Sequence, residues 1–312
     1  MANEILMVGP HLAPIIGHLE PEILVHRYWE ATDSAKLLRE IGPRVRAIAT
    51  DAFTGASAEL MRGLPNLQLI ANFGVGYDTV DLEFARTRGI AITNTPEVLN
   101  DDVADLALAL MLAVSRRLPQ ADRFVRTGRW HNAAFPLTRK LTGKRLGILG
   151  LGRIGKAVAK RARAFDMDIG YHGRNAQPAQ PFHYFDSLLE LATWADFLVV
   201  LIPDTQATRG LVDRQVLAGL GTKGILINVA RGAIVDEAAL VEALETNALG
   251  GAGLDVFTLE PHVPEGLLAL DNVVLQPHVG SATTDTRQAM AMLVVGNLRA
   301  FFRGEPLLTP AA

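Results

Sequence analysis

Three residues in the C-terminal half of the chain could do chemistry together. They are Arg231 in Asn228-Val-Ala-Arg-Gly232, Glu260 in Leu254-Asp-Val-Phe-Thr-Leu-Glu-Pro261, and His278 in Leu275-Gln-Pro-His-Val-Gly280. Each follows a short apolar run that reads as a buried parallel strand, at Ile225–Val229, Gly253–Val256 and Val273–Gln276. Strand carboxyl ends in an open α/β sheet face the ligand crevice, so the three side chains are expected to meet there. Arginine offers an always-charged planar fork for carboxylate and carbonyl oxygens. Histidine offers a proton donor that titrates near neutrality. A carboxylate bonded to the far ring nitrogen would orient that ring and favour its protonated form. Taken singly, Arg231 could be a surface residue, Glu260-Pro261 a loop and His278 a turn residue. Together, at three strand ends of one crevice, they point to a reaction centre.

A nucleotide would be held upstream. Gly150-Leu-Gly-Arg-Ile-Gly155 follows a strand pattern and opens an alanine-rich helical stretch, Lys156–Phe165. That context separates a dinucleotide fingerprint from an ordinary glycine-rich turn. Gly152 would let the backbone approach a pyrophosphate, and the helix N-terminus would offer N–H groups to it. Leu151, Gly152, Arg153 and Ile154 are the expected contacts. An acid for the ribose 2′-hydroxyl belongs about 20 residues further on. That place reads Tyr171-His172-Gly173-Arg174-Asn175, with no carboxylate between Asp168 and Asp186. Arg174 could pair with a 2′-phosphate and Asn175 could hydrogen-bond it, with Gly173 beside them; the alternative is a solvated arginine. The expected cofactor is NADP(H) in preference to NAD(H).

Against a nicotinamide, a 2-oxo acid would receive hydride at its carbonyl carbon and a proton at its oxygen. His278 would give that proton, Arg231 would clamp the oxygens, and Glu260 would hold the imidazole. General acid help of this kind is worth roughly 10²–10⁴ in rate. A second glycine loop, Phe73-Gly-Val-Gly-Tyr-Asp-Thr-Val-Asp81, follows another strand pattern, Gln68–Ala71. Its backbone N–H groups, at Val75 and Gly76, are candidates for the substrate carboxylate, the alternative being a plain turn into the next helix.

These residues need a scaffold of alternating strands and helices. The first hundred residues show candidate strands at Ile5–Val8, Ile23–Arg27, Val45–Ala49, Gln68–Ala71 and Ile90–Thr93, with helical stretches such as Asp33–Ile41 and Asp81–Arg88. A long helix is expected over Asn100–Leu118, with Asn100 as its cap, Asp101 and Asp102 in its first turn, Arg116 and Arg117 in its last, and Pro119 stopping it. Its middle, Ala104–Val114, is apolar nearly all round and needs more than one covering surface. A polar, irregular segment over Gln120–Lys140 leads to about six further strands, the first at Leu146–Leu149, Met167–His172 and Phe197–Leu201. The last helical stretch is Thr284–Arg303. Such alternation implies parallel α/β units.

Composition agrees with a globular chain able to bury sizeable cores. The 312 residues suit one large or two medium domains, and 30 basic against 33 acidic residues leave a net charge of −3. Near-neutrality argues against a general binder of nucleic acid or anionic membranes. The absence of cysteine excludes disulfides, thiolate nucleophiles and zinc-thiolate sites, and fits a reducing cytoplasm. Met1–Val8 reads as a first strand, not a signal peptide, and the longest apolar stretch, about Leu106–Val114, is too short to span a bilayer. A soluble, cytoplasmic protein is expected. His11, His18, His26, His131, His172, His183 and His262 show no metal-ligand spacing and read as surface or turn residues.

Over nearly its whole length the chain resembles the D-isomer-specific 2-hydroxyacid dehydrogenases, particularly the glyoxylate/hydroxypyruvate reductase branch. The resemblance is carried by Gly74-Val-Gly-Tyr-Asp-Thr-Val-Asp81, Asn94-Thr-Pro-Glu-Val-Leu-Asn-Asp-Asp-Val-Ala-Asp105, Gly150–Gly155, Asn228-Val-Ala-Arg-Gly-Ala-Ile-Val-Asp236, Gly253-Leu-Asp-Val-Phe257 and Gln276-Pro-His-Val-Gly280. It puts the family's catalytic Arg, Glu and His on Arg231, Glu260 and His278. It further implies that Asp255 contacts the nicotinamide carboxamide and that Val229 and Gly280 lie along the cofactor. The implied fold is two Rossmann-like or flavodoxin-like domains with parallel sheets. The cofactor domain, 99–283, is inserted in a discontinuous substrate domain, 1–98 with 284–312. A homodimer is implied, joined through Gln120–Lys140 with Trp130 and Phe135. Formate dehydrogenases, with glutamine in place of Glu260, are disfavoured. Hydroxyphenylpyruvate reductases share the Gly173-Arg-Asn feature, so a bulkier 2-oxo acid stays open, as does a nucleotide-sensing binding module like the corepressors of this fold.

Overall fold

The computed structural model describes residues 3–311. Met1 and Ala2, at the head of the segment read as a first strand, and Ala312, at the end of the expected substrate domain, lie outside the described residues. The chain forms two compact units, Met1–Leu99 with Thr283–Ala312, and Asn100–Ala282.

The discontinuous unit is built on five parallel strands, β1 (Asn3–Met7), β2 (Ile23–Arg27), β3 (Ala47–Asp51), β4 (Leu69–Phe73) and β5 (Ala91–Thr93), in the order β2-β1-β3-β4-β5. Every residue of β3 and β4 is buried, as expected of strands covered on both faces. The Thr284–Arg303 helix returns to pack on β4 and buries Met290, Val294 and Leu298. Two helices of this unit, from Ser34 and Leu82, start one residue later than the sequence suggests because the aspartate in front is the cap, whereas the last helix starts at Thr284 as expected. Asp33 accepts from the Lys36 N–H at 2.8 Å, and Asp81 from that of Phe84 at 2.9 Å. Beyond the last helix, Asn94 N–H donates to Thr309 O and Ala311 N–H to Ile92 O, so the tail lies along edge strand β5.

The continuous unit carries seven parallel strands: β6 (Arg145–Leu149), β7 (Asp168–His172), β8 (His183–Tyr184), β9 (Phe197–Val200), β10 (Ile225–Asn228), β11 (Gly251–Leu254) and β12 (Val273–Leu275). Their order, β12-β11-β10-β9-β6-β7-β8, reverses direction between β6 and β9, the switch point of a dinucleotide fold. β8 is one strand more than the sequence pattern suggests. β11 begins two residues earlier than its apolar run, because Gly251 and Gly253 sit where a helix comes close. A side chain at Gly253 would lie 2.9 Å from the Cβ of Leu110.

That helix, Asn100–Arg116, packs against β10, β11, β12 and the Arg153–Ala162 helix, which accounts for an apolar surface nearly all round. The sequence reading is corrected at both ends: Asn100 is already helical, and the helix ends at Arg116. Arg117 turns into the left-handed region (φ 51°) and begins a second helix, Leu118–Arg126. Pro119 lies in the first turn of that helix, where its missing N–H costs nothing. Part of the segment read as irregular is therefore helical. The helix after the glycine loop spans Arg153–Ala162, and Arg163–Phe165 tightens into a 3-10 turn. Among the described residues, no helix is long and apolar enough to cross a membrane, and no cluster of His, Asp or Glu could hold a metal ion.

Candidate active site

His278 and Glu260 meet at the carboxyl ends of β11 and β12. The His278 Nδ1 lies 2.6 Å from Glu260 Oε2, and the other carboxylate oxygen accepts from the Phe257 N–H at 2.9 Å. Burial works against the Glu260 carboxylate, but the hydrogen bonds from His278 and Phe257 and the charges of His278 and Arg231 outweigh it, holding its pKa below the ordinary value. An ionised partner makes Nδ1 the donor in this pair, so Nε2 is the nitrogen that would exchange a proton with substrate.

The loop carrying His278 is held by Asp255. One Asp255 oxygen accepts from the Val279 N–H at 2.7 Å and the other from that of Gly280 at 2.8 Å, while its own carbonyl accepts from the His278 N–H at 2.8 Å. Asp255 is only 1% exposed, and burial raises its pKa despite these donors. These bonds hold His278 in the left-handed region (φ 54°), an uncommon conformation for a non-glycine residue and one that clusters at functional sites.

Arg231 sits three residues beyond β10. Asn228, 1% exposed, shapes its turn by accepting from the Ala230 N–H at 3.1 Å and donating to the Arg231 carbonyl at 2.9 Å. The Arg231 Nη1 donates to Ala230 O at 2.8 Å, and its charge reaches Glu260. Val229, 9% exposed, precedes it at the strand end.

The glycine loop lies at the switch point, after β6. Gly150 adopts φ 101° with Leu201 and Ile202 about it, and a Cβ on Gly155 would lie 2.3 Å from Gly150 O. Both positions therefore require glycine for the turn and for helix–strand packing. Gly152 differs: a Cβ there would meet nothing within 4 Å, and no side chain caps the helix that starts at Arg153. Three other helices of this unit are capped by Ser187, Asp213 and Asp236. An uncapped N-terminus beside open space fits a pyrophosphate. Leu151 is buried and Ile154 half-buried, whereas Gly152 and Arg153 are exposed.

After β7, Gly173 is half-buried and Arg174 and Asn175 are exposed. Gln177 ties this loop to the glycine loop through its side chain, which donates to Leu151 O at 2.9 Å, while its N–H donates to the Tyr171 hydroxyl at 2.6 Å. Arg174 makes no hydrogen bond or ion pair among the described residues. Sequence reasoning missed the bracing by Gln177 and Asn228; the Asn-x-x turn after a strand was the available signal for the latter. Two histidines read as surface or turn residues are instead tied in. His26 bonds Glu4 at 2.8 Å, and the His172 Nδ1 donates to Phe185 O at 2.9 Å.

Val75 and Gly76 lie in the other unit, half-buried just beyond β4.

Known proteins resemble the chain in sequence and fold. Residues 108–280 match the NAD binding domain of D-isomer specific 2-hydroxyacid dehydrogenases. Glyoxylate/hydroxypyruvate reductase A of Arabidopsis thaliana is 50% identical over 306 residues, covering 98% of each chain. Hydroxyphenylpyruvate reductase of Plectranthus scutellarioides is 49% identical, again over 98% of each. The crystal structure of NADPH-dependent glyoxylate/hydroxypyruvate reductase from Sinorhizobium meliloti, in complex with NADP and malonate, is 45% identical with a TM-score of 0.93, covering 100% of this chain and 97% of the other. The chain belongs to the D-isomer-specific 2-hydroxyacid dehydrogenases, in the glyoxylate reductase branch.

Proposed function

We propose that the protein is an NADPH-dependent reductase of small 2-oxo acids, with glyoxylate and hydroxypyruvate as its leading substrates. The observation that carries this reading is the Glu260–His278 pair at 2.6 Å, braced by Asp255 at the strand ends where Arg231 also stands. A bound nicotinamide would supply hydride to the substrate carbonyl carbon. His278 Nε2 gives its proton to the carbonyl oxygen, and Glu260 holds the ring through Nδ1 as positive charge leaves it. Arg231 holds the carbonyl and carboxylate oxygens by a charge-assisted fork, and the Val75 and Gly76 N–H groups bind the carboxylate. Along the cofactor, the proposed contacts are Leu151, Gly152, Arg153, Ile154, Val229, Asp255 and Gly280. Arg174 and Asn175, beside Gly173, take the 2′-phosphate; the NADP complex of the 45% identical Sinorhizobium meliloti relative supports that choice.

A second reading has its own support. The 49% identity to a hydroxyphenylpyruvate reductase favours bulkier aryl pyruvates as alternative substrates. We further read the protein as a cytoplasmic homodimer joined through the Gln120–Lys140 segment, where Val125 is 55%, Trp130 67% and Leu137 fully exposed. Sedimentation at micromolar concentration checks this, and a monomer would reject it.

The functional test is a panel of 2-oxo acids with NADPH and NADH, followed by loss of reduced-nicotinamide absorbance. Turnover of glyoxylate or hydroxypyruvate with NADPH is the expected result. Higher kcat/KM for aryl pyruvates would favour the second reading. NADPH binding without turnover of any oxo acid would make the chain a nucleotide-sensing module and overturn both.

A further inference from the structure

The discontinuous unit holds the turn after β4 in an unusual way. All three carbonyls of Gly74–Gly76 are claimed from within the unit. Asn72, wholly buried, donates through Nδ2 to Gly74 O at 3.2 Å and to Gly76 O at 2.9 Å. Asn94 Nδ2 donates to Val75 O at 3.0 Å, and the Thr95 N–H to Gly74 O at 3.0 Å. The amide of Asn72 can face this way only, since its two acceptors require its two donor hydrogens. Its Oδ1 is left buried with no partner among the described residues, at a cost in free energy. With the carbonyls tied inward, the N–H groups of Val75 and Gly76 make no hydrogen bond among the described residues.

A cation stands beside this turn. Arg287, half-buried on the Thr284–Arg303 helix, lies with Cζ 5.4 Å from the ring centre of Phe73, the residue directly before Gly74. It makes no hydrogen bond or ion pair among the described residues. Burial lowers its pKa, only partly offset by the charge of Asp51 at the end of β3. A desolvated guanidinium held on an aromatic face, with its donors unused, is suited to receive an anion.

We propose that Asn72 and Asn94 are positioning residues that turn the Val75 and Gly76 N–H groups outward, and that Arg287 is a further substrate-binding residue of the same carboxylate site. The proposal deepens the reading of the chain as a 2-oxo acid reductase and rests on it. Asn72 acts only through the turn, whereas Arg287 contacts the carboxylate itself.

The test compares the unmodified protein with Asn72→Asp, Asn94→Ala, Arg287→Met and Arg287→Lys. Asn72→Asp keeps the shape but replaces Nδ2 by a carboxylate oxygen facing two carbonyls. Loss of one charge-assisted contact is worth about tenfold or more in binding. Arg287→Met should therefore raise KM for glyoxylate by about that factor with kcat changed less, and Arg287→Lys should recover part of it. Asn72→Asp should do the same while KM for NADPH stays put. Should Asn72→Asp fail to fold, Asn94→Ala, which removes a single tie, replaces it. KM values for the oxo acid within twofold of the unmodified enzyme in the Met and Asp variants would overturn the proposal. Calorimetry with oxamate reads the site without turnover. If the unmodified protein reduces no 2-oxo acid, the functional reading falls, but the site is still decided. Oxamate bound by the unmodified protein and lost in the variants supports it; equal binding, or none, overturns it.

Discussion

Changing Gly173→Asp together with Arg174→Ala should turn the enzyme from NADPH toward NADH. The structure makes the double change clean. A Cβ on Gly173 meets nothing within 4 Å, so the new carboxylate enters open space. Arg174 makes no hydrogen bond or ion pair whose loss would disturb the fold. A charge-assisted bond to the 2′-phosphate is worth about 1.5–3 kcal/mol, and exposure of Arg174 places it at the lower end, about tenfold in preference. A carboxylate beside a phosphate carrying nearly two charges adds about 1–3 kcal/mol of repulsion at the dielectric of an exposed site. Together these give a shift of roughly 10²–10³ in the NADPH:NADH ratio of kcat/KM. The assay is steady-state kinetics with each cofactor at saturating oxo acid, at two salt concentrations. Most of the change should lie in KM for the cofactor, and preference for NADPH should weaken in high salt. An unmodified enzyme with equal kcat/KM for the two cofactors, or a double variant within threefold of it, would refute the reasoning.

Other perturbations test other parts. His278→Ala should lower kcat by roughly 10²–10⁴ while leaving NADPH affinity intact; near-normal turnover would remove His278 as the proton donor. Asp255→Asn keeps the shape but puts an NH₂ against the Val279 or Gly280 N–H. It should cost about 1–3 kcal/mol in unfolding free energy and lower kcat, and an unchanged Tm would speak against the brace. Glu4, held below its ordinary pKa of 4.5 because His26 and Arg44 outweigh its burial, contributes stability above that pH and loses it as pH falls through the depressed value. Acid unfolding of Glu4→Gln should be correspondingly flatter below about pH 4.5, and a curve parallel to that of the unmodified protein would contradict this.

How much of the molecule was legible in the sequence varied with the kind of signal. Strands such as β4 and β10 show because apolar residues fill both faces. β11 starts with Gly-Ala-Gly, where the lack of side chains that lets a helix close in also removes the pattern. β8 is two residues long and sets up no period. Pro119 misled because proline reads as a stop whether it ends one helix or stands in the first turn of the next. At the candidate site, the residues that would act are of conspicuous types at strand ends. The residues that brace them are not: Asn228, Gln177 and Asn72 work through hydrogen bonds whose partners are fixed only once the chain has folded.

The helix that completes the five-stranded sheet is made last. Strands β1 to β5 leave the ribosome within the first hundred residues, but the Thr284–Arg303 helix that packs on β4 follows only after the whole inserted unit. The inserted unit has its full complement of strands by Leu275, so it can fold in one piece while the unit that began first waits. During that wait one face of β4 lacks its cover, and the nascent chain exposes apolar surface that the finished protein hides. The unit whose strands are made first is therefore the one whose last element is made after the other unit is complete.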